Sequence, residues 1–95
     1  RAEIQFVNRQ AELLFGYSRK ELYDQHVNML LPQNKRESHI PHLATYFAEP
    51  RVRQMGALLE LLARHKNGNE FGVQIYLVPI MWNDGLLVVA TIRKL

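Results

Sequence analysis

The 95-residue chain contains no cysteine. That absence removes disulfides, thiolate nucleophiles and cysteine-ligated metals together, and it suits a reducing compartment. Also missing is a run of about 18 consecutive apolar residues, the minimum for a membrane-spanning helix. The N-terminus lacks the basic, apolar and small-residue succession of a signal peptide. The chain is therefore read as a cytoplasmic domain that makes no membrane contact. Charge of one sign is nowhere concentrated: twelve basic and nine acidic residues leave a net charge of +3. No more than two basic residues are adjacent, whereas a nucleic-acid footprint gathers them on one face. No nucleic-acid partner is expected.

Other absences bear on catalysis. The five glycines are separated, so there is no glycine-rich phosphate loop. Ser18 reads as a helix cap and Ser38 as a helix start, and neither sits in a nucleophile-elbow motif. The acids are scattered singly. No catalytic residue and no metal site is assigned, and the chain is not read as an enzyme. It has no repeat, low-complexity stretch or linker-like run, so residues 1–95 form one domain.

What is present reads as alternating short elements. Residues 2–7 alternate and predict a short strand. Asn8 offers an N-cap for a helix that carries Ala11, Leu14 and Phe15 on one side and stops at Gly16. Ser18 and Glu21 stand at capping-box spacing and start a further helical turn through Leu22. Residues 33–37 are polar and predict a loop. A helix follows from Ser38 to just before Pro50, on the spacing of Ile40, Leu43, Tyr46 and Phe47; Pro41 is acceptable there only in the first turn. The run "GALLELLARH" suits a helix face as well as a strand. Strand is preferred because Asn67-Gly68 supplies a hairpin turn into a clear strand over residues 70–80. A second turn, Asn83-Asp84-Gly85, leads into the β-branched run "LLVVATIRKL". Strand, helices and three hairpin-connected strands make an α+β antiparallel fold.

The stretches "IQFVNRQAELLFGYSRKEL", "HVNMLLP", "RHKNGNEFGVQIYLVPI" and "LVVATIRKL", in that order and over nearly the whole chain, resemble the PAS sensory domain family. The resemblance implies a five-stranded antiparallel sheet with short helices packed on one face. The family's first strand is missing here, so the domain is expected to be truncated at its N-terminal strand. It also implies a signalling input module ahead of an output domain in the same protein, such as a sensor histidine kinase of a two-component system or a cyclic-dinucleotide enzyme. A small ligand between sheet and helices would touch Phe15, Leu43, Phe47, Ile75 and Leu77, the apolar positions predicted to face inward. The alternative is a protein–protein interaction PAS domain whose pocket is filled by its own side chains. The chain departs from the family at its end, where Lys94 follows Ile92-Arg93 in place of an acid.

Cofactors are read against the same resemblance. The haem-binding members place their ligand histidine after an acid–Pro pair at the end of the long helix. The matching stretch "EPRVRQMG" has Arg51 there, and a guanidinium has no lone pair for iron. His39 and His42 form an H-x-x-H pair with no third ligand. Haem is disfavoured. The covalent flavin adduct of photoreceptor members is excluded without cysteine, and noncovalent FAD stays as a lesser alternative.

One strand breaks its own pattern. Phe71, Val73, Ile75 and Leu77 supply an inner face, yet the opposite side carries Gln74, Tyr76 and Val78, with Met81 and Trp82 following. Apolar residues on a face that should be solvated mark an association surface. A homodimer through Tyr76, Val78 and Trp82 is expected.

Overall fold

The computed structural model describes residues 3–55 and 61–95. The architecture is α+β, as the sequence predicts. In chain order the elements are α1 (Arg9–Phe15), α2 (Arg19–Leu22), a 3₁₀ turn (Val27–Leu30), α3 (Gln33–Ala48), β1 (Arg53–Met55), β2 (Leu61–Arg64), β3 (Glu70–Trp82) and β4 (Gly85–Lys94).

The first helices are local constructions. The Asn8 side chain accepts from the Ala11 N–H at 2.9 Å, and Gly16 ends α1 in the left-handed region at φ 78°. Ser18 and Glu21 form a reciprocal capping box around the start of α2. Over the described residues 3–7 the predicted strand is not formed: an isolated antiparallel bridge between Glu3 and His26 stands in its place. Two backbone bonds extend it, from Ile4 N–H to Gln25 O and from Asp24 N–H to Ile4 O. An alternating sequence makes a strand only where a neighbouring strand accepts its ladder, and here the neighbour is a turn.

Helix α3 begins at Gln33, five residues before the predicted Ser38, and contains Pro41 in its interior. The polar residues 33–37 are helical because Pro32 ends the preceding segment and Arg36 anchors the first turns. The Arg36 guanidinium donates to the carbonyls of Leu31 and Met29, two orphan acceptors at the end of the 3₁₀ turn. The carbonyl of Pro41 accepts from the Thr45 hydroxyl at 3.0 Å. Proline in a helix interior removes one backbone bond.

Among the described residues the antiparallel sheet has four strands; the resemblance implied five, with the first expected to be missing from this chain. β3 is its spine. β4 pairs along one edge of β3 from Val73↔Lys94 to Trp82↔Gly85. Both β1 (Met55↔Ile75) and β2 (Leu61↔Val73) pair with the opposite edge. The strand predicted from "GALLELLARH" is described only as β2, since residues 56–60 lie outside the described residues; β1 was not predicted. Asn83 and Asp84 both have positive φ, 49° and 60°, so they alone form the tight turn and Gly85 already belongs to β4. In the other turn only Gly68 has positive φ, rather than both residues of the Asn-Gly pair. The loop closes through Gly68 N–H to His65 O and His65 N–H to Asn69 O, both 2.8 Å.

The core lies between α1, the 3₁₀ turn and the inner sheet face. Phe15, Ala63 and Val73 are buried together, with Leu14, Tyr17, Leu30, Leu61, Phe71, Ile75 and Ile92 packed around them. The Phe15 and Phe71 ring centroids are 5.8 Å apart. The β2–β3 loop is tied to the helices: Lys66 N–H donates to Phe15 O at 2.9 Å, Lys66 Nζ pairs with Glu21 Oε2 at 2.5 Å, and the His65 ring lies directly against Gly16.

Candidate functional site: the outer sheet face and the inner pocket

The antiparallel register sorts β3 by parity. The buried Val73 defines the inner face, which also carries Phe71, Ile75, Leu77, Pro79 and Met81. The outer face carries Gln74, Tyr76, Val78, Ile80 and Trp82, opposite Arg93, Thr91, Val89, Leu87 and Gly85 of β4. The three residues predicted for an interface, Tyr76, Val78 and Trp82, thus share one face. Tyr76 is 45% and Trp82 62% exposed. Met81 is 71% exposed but belongs to the other face. Sequence reading passed over Ile80 (43% exposed) and Val89 (45% exposed), which complete the outer stripe; Ile80 was legible from its spacing with Tyr76 and Val78. From Val78 to Trp82, β3 pairs only with β4 among the described residues. This arm is apolar on both faces and polar only at Asn83 and Asp84. At the opposite end of the stripe, Arg93 donates to Gln74 Oε1 at 2.6 Å and makes a polar boundary.

Two of the five residues proposed to line a pocket belong to the core cluster. Phe15 is 2% exposed inside the core, and Ile75 packs against that core. Leu43, Phe47 and Leu77 are half-buried and stand outside it. Tyr46 is more deeply buried than Phe47, meets its ring edge-on at 6.0 Å, and donates its hydroxyl to Arg51 O at 2.7 Å. Lys94 Nζ lies 5.7 Å from the centre of the Phe71 ring, so the cation that replaces the family's acid rests on an aromatic face.

The histidines are placed more informatively. Arg51 lies in the exposed segment after α3, and no group of three or more His, Asp or Glu residues among the described residues is arranged to hold a metal ion. His39 is half-buried on α3, its Nδ1 2.6 Å from Asn28 Oδ1. Since a carbonyl oxygen only accepts, His39 Nδ1 carries the hydrogen. The Arg51 guanidinium has no lone pair to offer a haem iron.

Burial lowers the His39 pKa from 6.5, with His42 and His26 adding like-charge repulsion in the protonated state. The unfolded chain then takes up the proton first. Stability is therefore expected to fall as pH drops below 6.5 towards the lowered folded value, and to be independent of His39 above 6.5. Urea midpoints of the wild type and His39→Phe across this range check it: the wild type should lose more stability on acidification than the variant.

Comparison with known proteins completes the picture. The model of the PAS domain family matches residues 1–93. A probable serine/threonine-protein kinase of Dictyostelium discoideum is 34% identical over 89 residues, covering 90% of this chain and 6% of that protein. The oxygen sensor protein DosP of Escherichia coli (strain K12) is 26% identical over 91 residues, covering 96% of this chain and 11% of that protein. The chain thus spans a small part of these relatives. Among solved structures, the PAS domain of a Desulfitobacterium hafniense protein superposes with a TM-score of 0.82 at 20% identity, over 99% of this chain and 84% of that one. The PAS domain of a Colwellia psychrerythraea protein gives 0.73 at 23% identity, over 93% and 73%. From its motifs, its α+β architecture and the match along almost its full length, the chain belongs to the PAS domain family.

Proposed function

We propose that this domain is the input and dimerisation module of a longer signal-transduction protein, self-associating through its outer sheet face. The observation that carries the reading is the stripe Tyr76, Val78, Ile80, Trp82 and Val89, apolar where a solvated sheet face is ordinarily polar. Its four most exposed members present about 400 Å² between them, taking roughly 200 Å² for a whole large side chain, against about 800 Å² per partner in a standard interface. The stripe thus supplies the anchors, and neighbouring sheet residues supply the rim. A kinase and an oxygen sensor among the relatives support a signalling context, with the output in a separate domain of the same protein. Sedimentation equilibrium over low to high micromolar concentration tests the assembly: a monomer–dimer equilibrium is expected, and a monomer throughout overturns it.

The inner pocket is the sensory half of the proposal. A small ligand would sit at the Leu43, Phe47 and Leu77 end, since Phe15 and Ile75 are already engaged in the core. The ligand-free alternative is the reading in which these side chains close on each other. Native mass spectrometry of the purified domain separates them by the presence or absence of a bound mass. Haem and flavin are not expected. A domain expressed with excess haem should show no stoichiometric Soret band; a band abolished by His39→Ala would contradict that expectation.

A further inference from the structure

The residue that links the 3₁₀ turn to α3 is Asn28, and two imidazoles hold it in opposite protonation roles. Its backbone N–H donates to His26 Nδ1 at 3.1 Å, which caps the turn. Its side-chain Oδ1 accepts from His39 Nδ1 at 2.6 Å, and its Nδ2 donates to Arg36 O at 3.4 Å. The first bond requires a bare nitrogen on His26, and the second a hydrogen on His39. Both are met only while His26 is neutral, in its Nε2–H tautomer.

We propose that this junction is a proton-gated latch: protonation of His26 removes the acceptor that caps the 3₁₀ turn, and α3 loosens from it. A protonated Nδ1 is a donor facing the Asn28 N–H, so the bond becomes a donor–donor clash. His42 and His26 both act on His39 by like-charge repulsion, so a charge on His26 disfavours one on His39. The surrounding elements carry Glu3 on the bridged segment, Asp24 ahead of the turn, Lys35, Arg36 and Glu37 on α3, and Arg64 on β2. Imidazole is the side chain whose charge ordinarily changes between about pH 5 and 8. α3 carries Leu43 and Phe47, so, resting on the pocket proposed above, its release would act on the inner side of the sheet rather than on the outer face.

Amide hydrogen exchange on the whole chain, corrected for the intrinsic pH dependence of the rate, reads the latch directly. Between about pH 7.5 and about pH 5.5, protection of the Asn28 amide and of the first turns of α3 should fall about tenfold in the wild type, while the buried Val73 amide stays protected. His26→Asn keeps a carbonyl acceptor at the cap and cannot titrate, so its Asn28 protection should stay nearly constant. Unchanged protection in the wild type overturns the proposal. So does an equal fall in His26→Asn, or a parallel fall at Val73, which would mean global acid unfolding.

Discussion

Gly16→Ala should be among the most damaging single substitutions in this domain, lowering stability by about 2–5 kcal/mol. Two independent causes add. Gly16 sits at φ 78°, where an L side chain costs roughly 1–2 kcal/mol. A methyl group there would lie 2.2 Å from His65 Cε1 and 2.4 Å from Nε2, and forcing extra volume into a packed contact costs roughly 1–3 kcal/mol more. The ring cannot swing aside freely, because His65 Nδ1 accepts from the Asn67 N–H at 3.1 Å and its backbone closes the turn. For a domain of this size each kcal/mol lowers Tm by roughly 4–8 °C. Thermal unfolding of Gly16→Ala, His65→Ala and the double variant separates the causes. In the His65→Ala background, adding Gly16→Ala should cost only the backbone part, about 1–2 kcal/mol. A Gly16→Ala protein that melts within a degree or two of the wild type contradicts the account of this joint.

Tyr76→Glu should leave the fold intact and weaken self-association by a factor of ten or more. Tyr76 is on the outer face, opposite Thr91 and away from Phe15, Ala63 and Val73, so its loss takes nothing from the core. At an interface the substitution acts twice: it removes an aromatic anchor, and in a symmetric pair it brings two carboxylates towards one another. Full burial of a large apolar side chain contributes roughly 1.5–3 kcal/mol, and a loss of about 1.4 kcal/mol is already tenfold in Kd. Sedimentation equilibrium of both proteins measures the change, with circular dichroism as the folding control. Equal dimerisation by the variant places the contact elsewhere.

How far the sequence reveals this molecule depends on the range of the interaction. Asn8, Gly16, Ser18 and Glu21 act on backbone groups within a few residues, and both helix starts were readable from spacing alone. The inner and outer faces of β3 followed from strict alternation. The beginning of α3 did not, because a polar stretch becomes helical through Arg36 reaching back to Leu31 and Met29, a tertiary anchor without a local pattern. The strand expected at residues 2–7 failed for the complementary reason, since its ladder partner is a turn around Gln25 and His26. At the site, period two exposed the Tyr76–Val78–Trp82 stripe, whereas the Asn28–His39 and Gly16–His65 contacts join residues that only the fold brings together. The candidate pocket residues come from α1, α3 and β3; inward-facing is a property of each residue, while lining a common space depends on how α3 lies against the sheet.

The chain carries one tryptophan, and it stands in the stripe on which the account depends. Trp82 is 62% exposed in the single chain, so its emission reports whether a second copy covers the outer face. Along a dilution series from high micromolar to nanomolar concentration, the wild-type emission maximum is predicted to move to longer wavelength as the dimer dissociates. Tyr76→Glu should show the exposed spectrum at concentrations where the wild type is still dimeric. An emission maximum that is the same at every concentration, or one that shifts identically in both proteins, would contradict the assignment of this face to self-association.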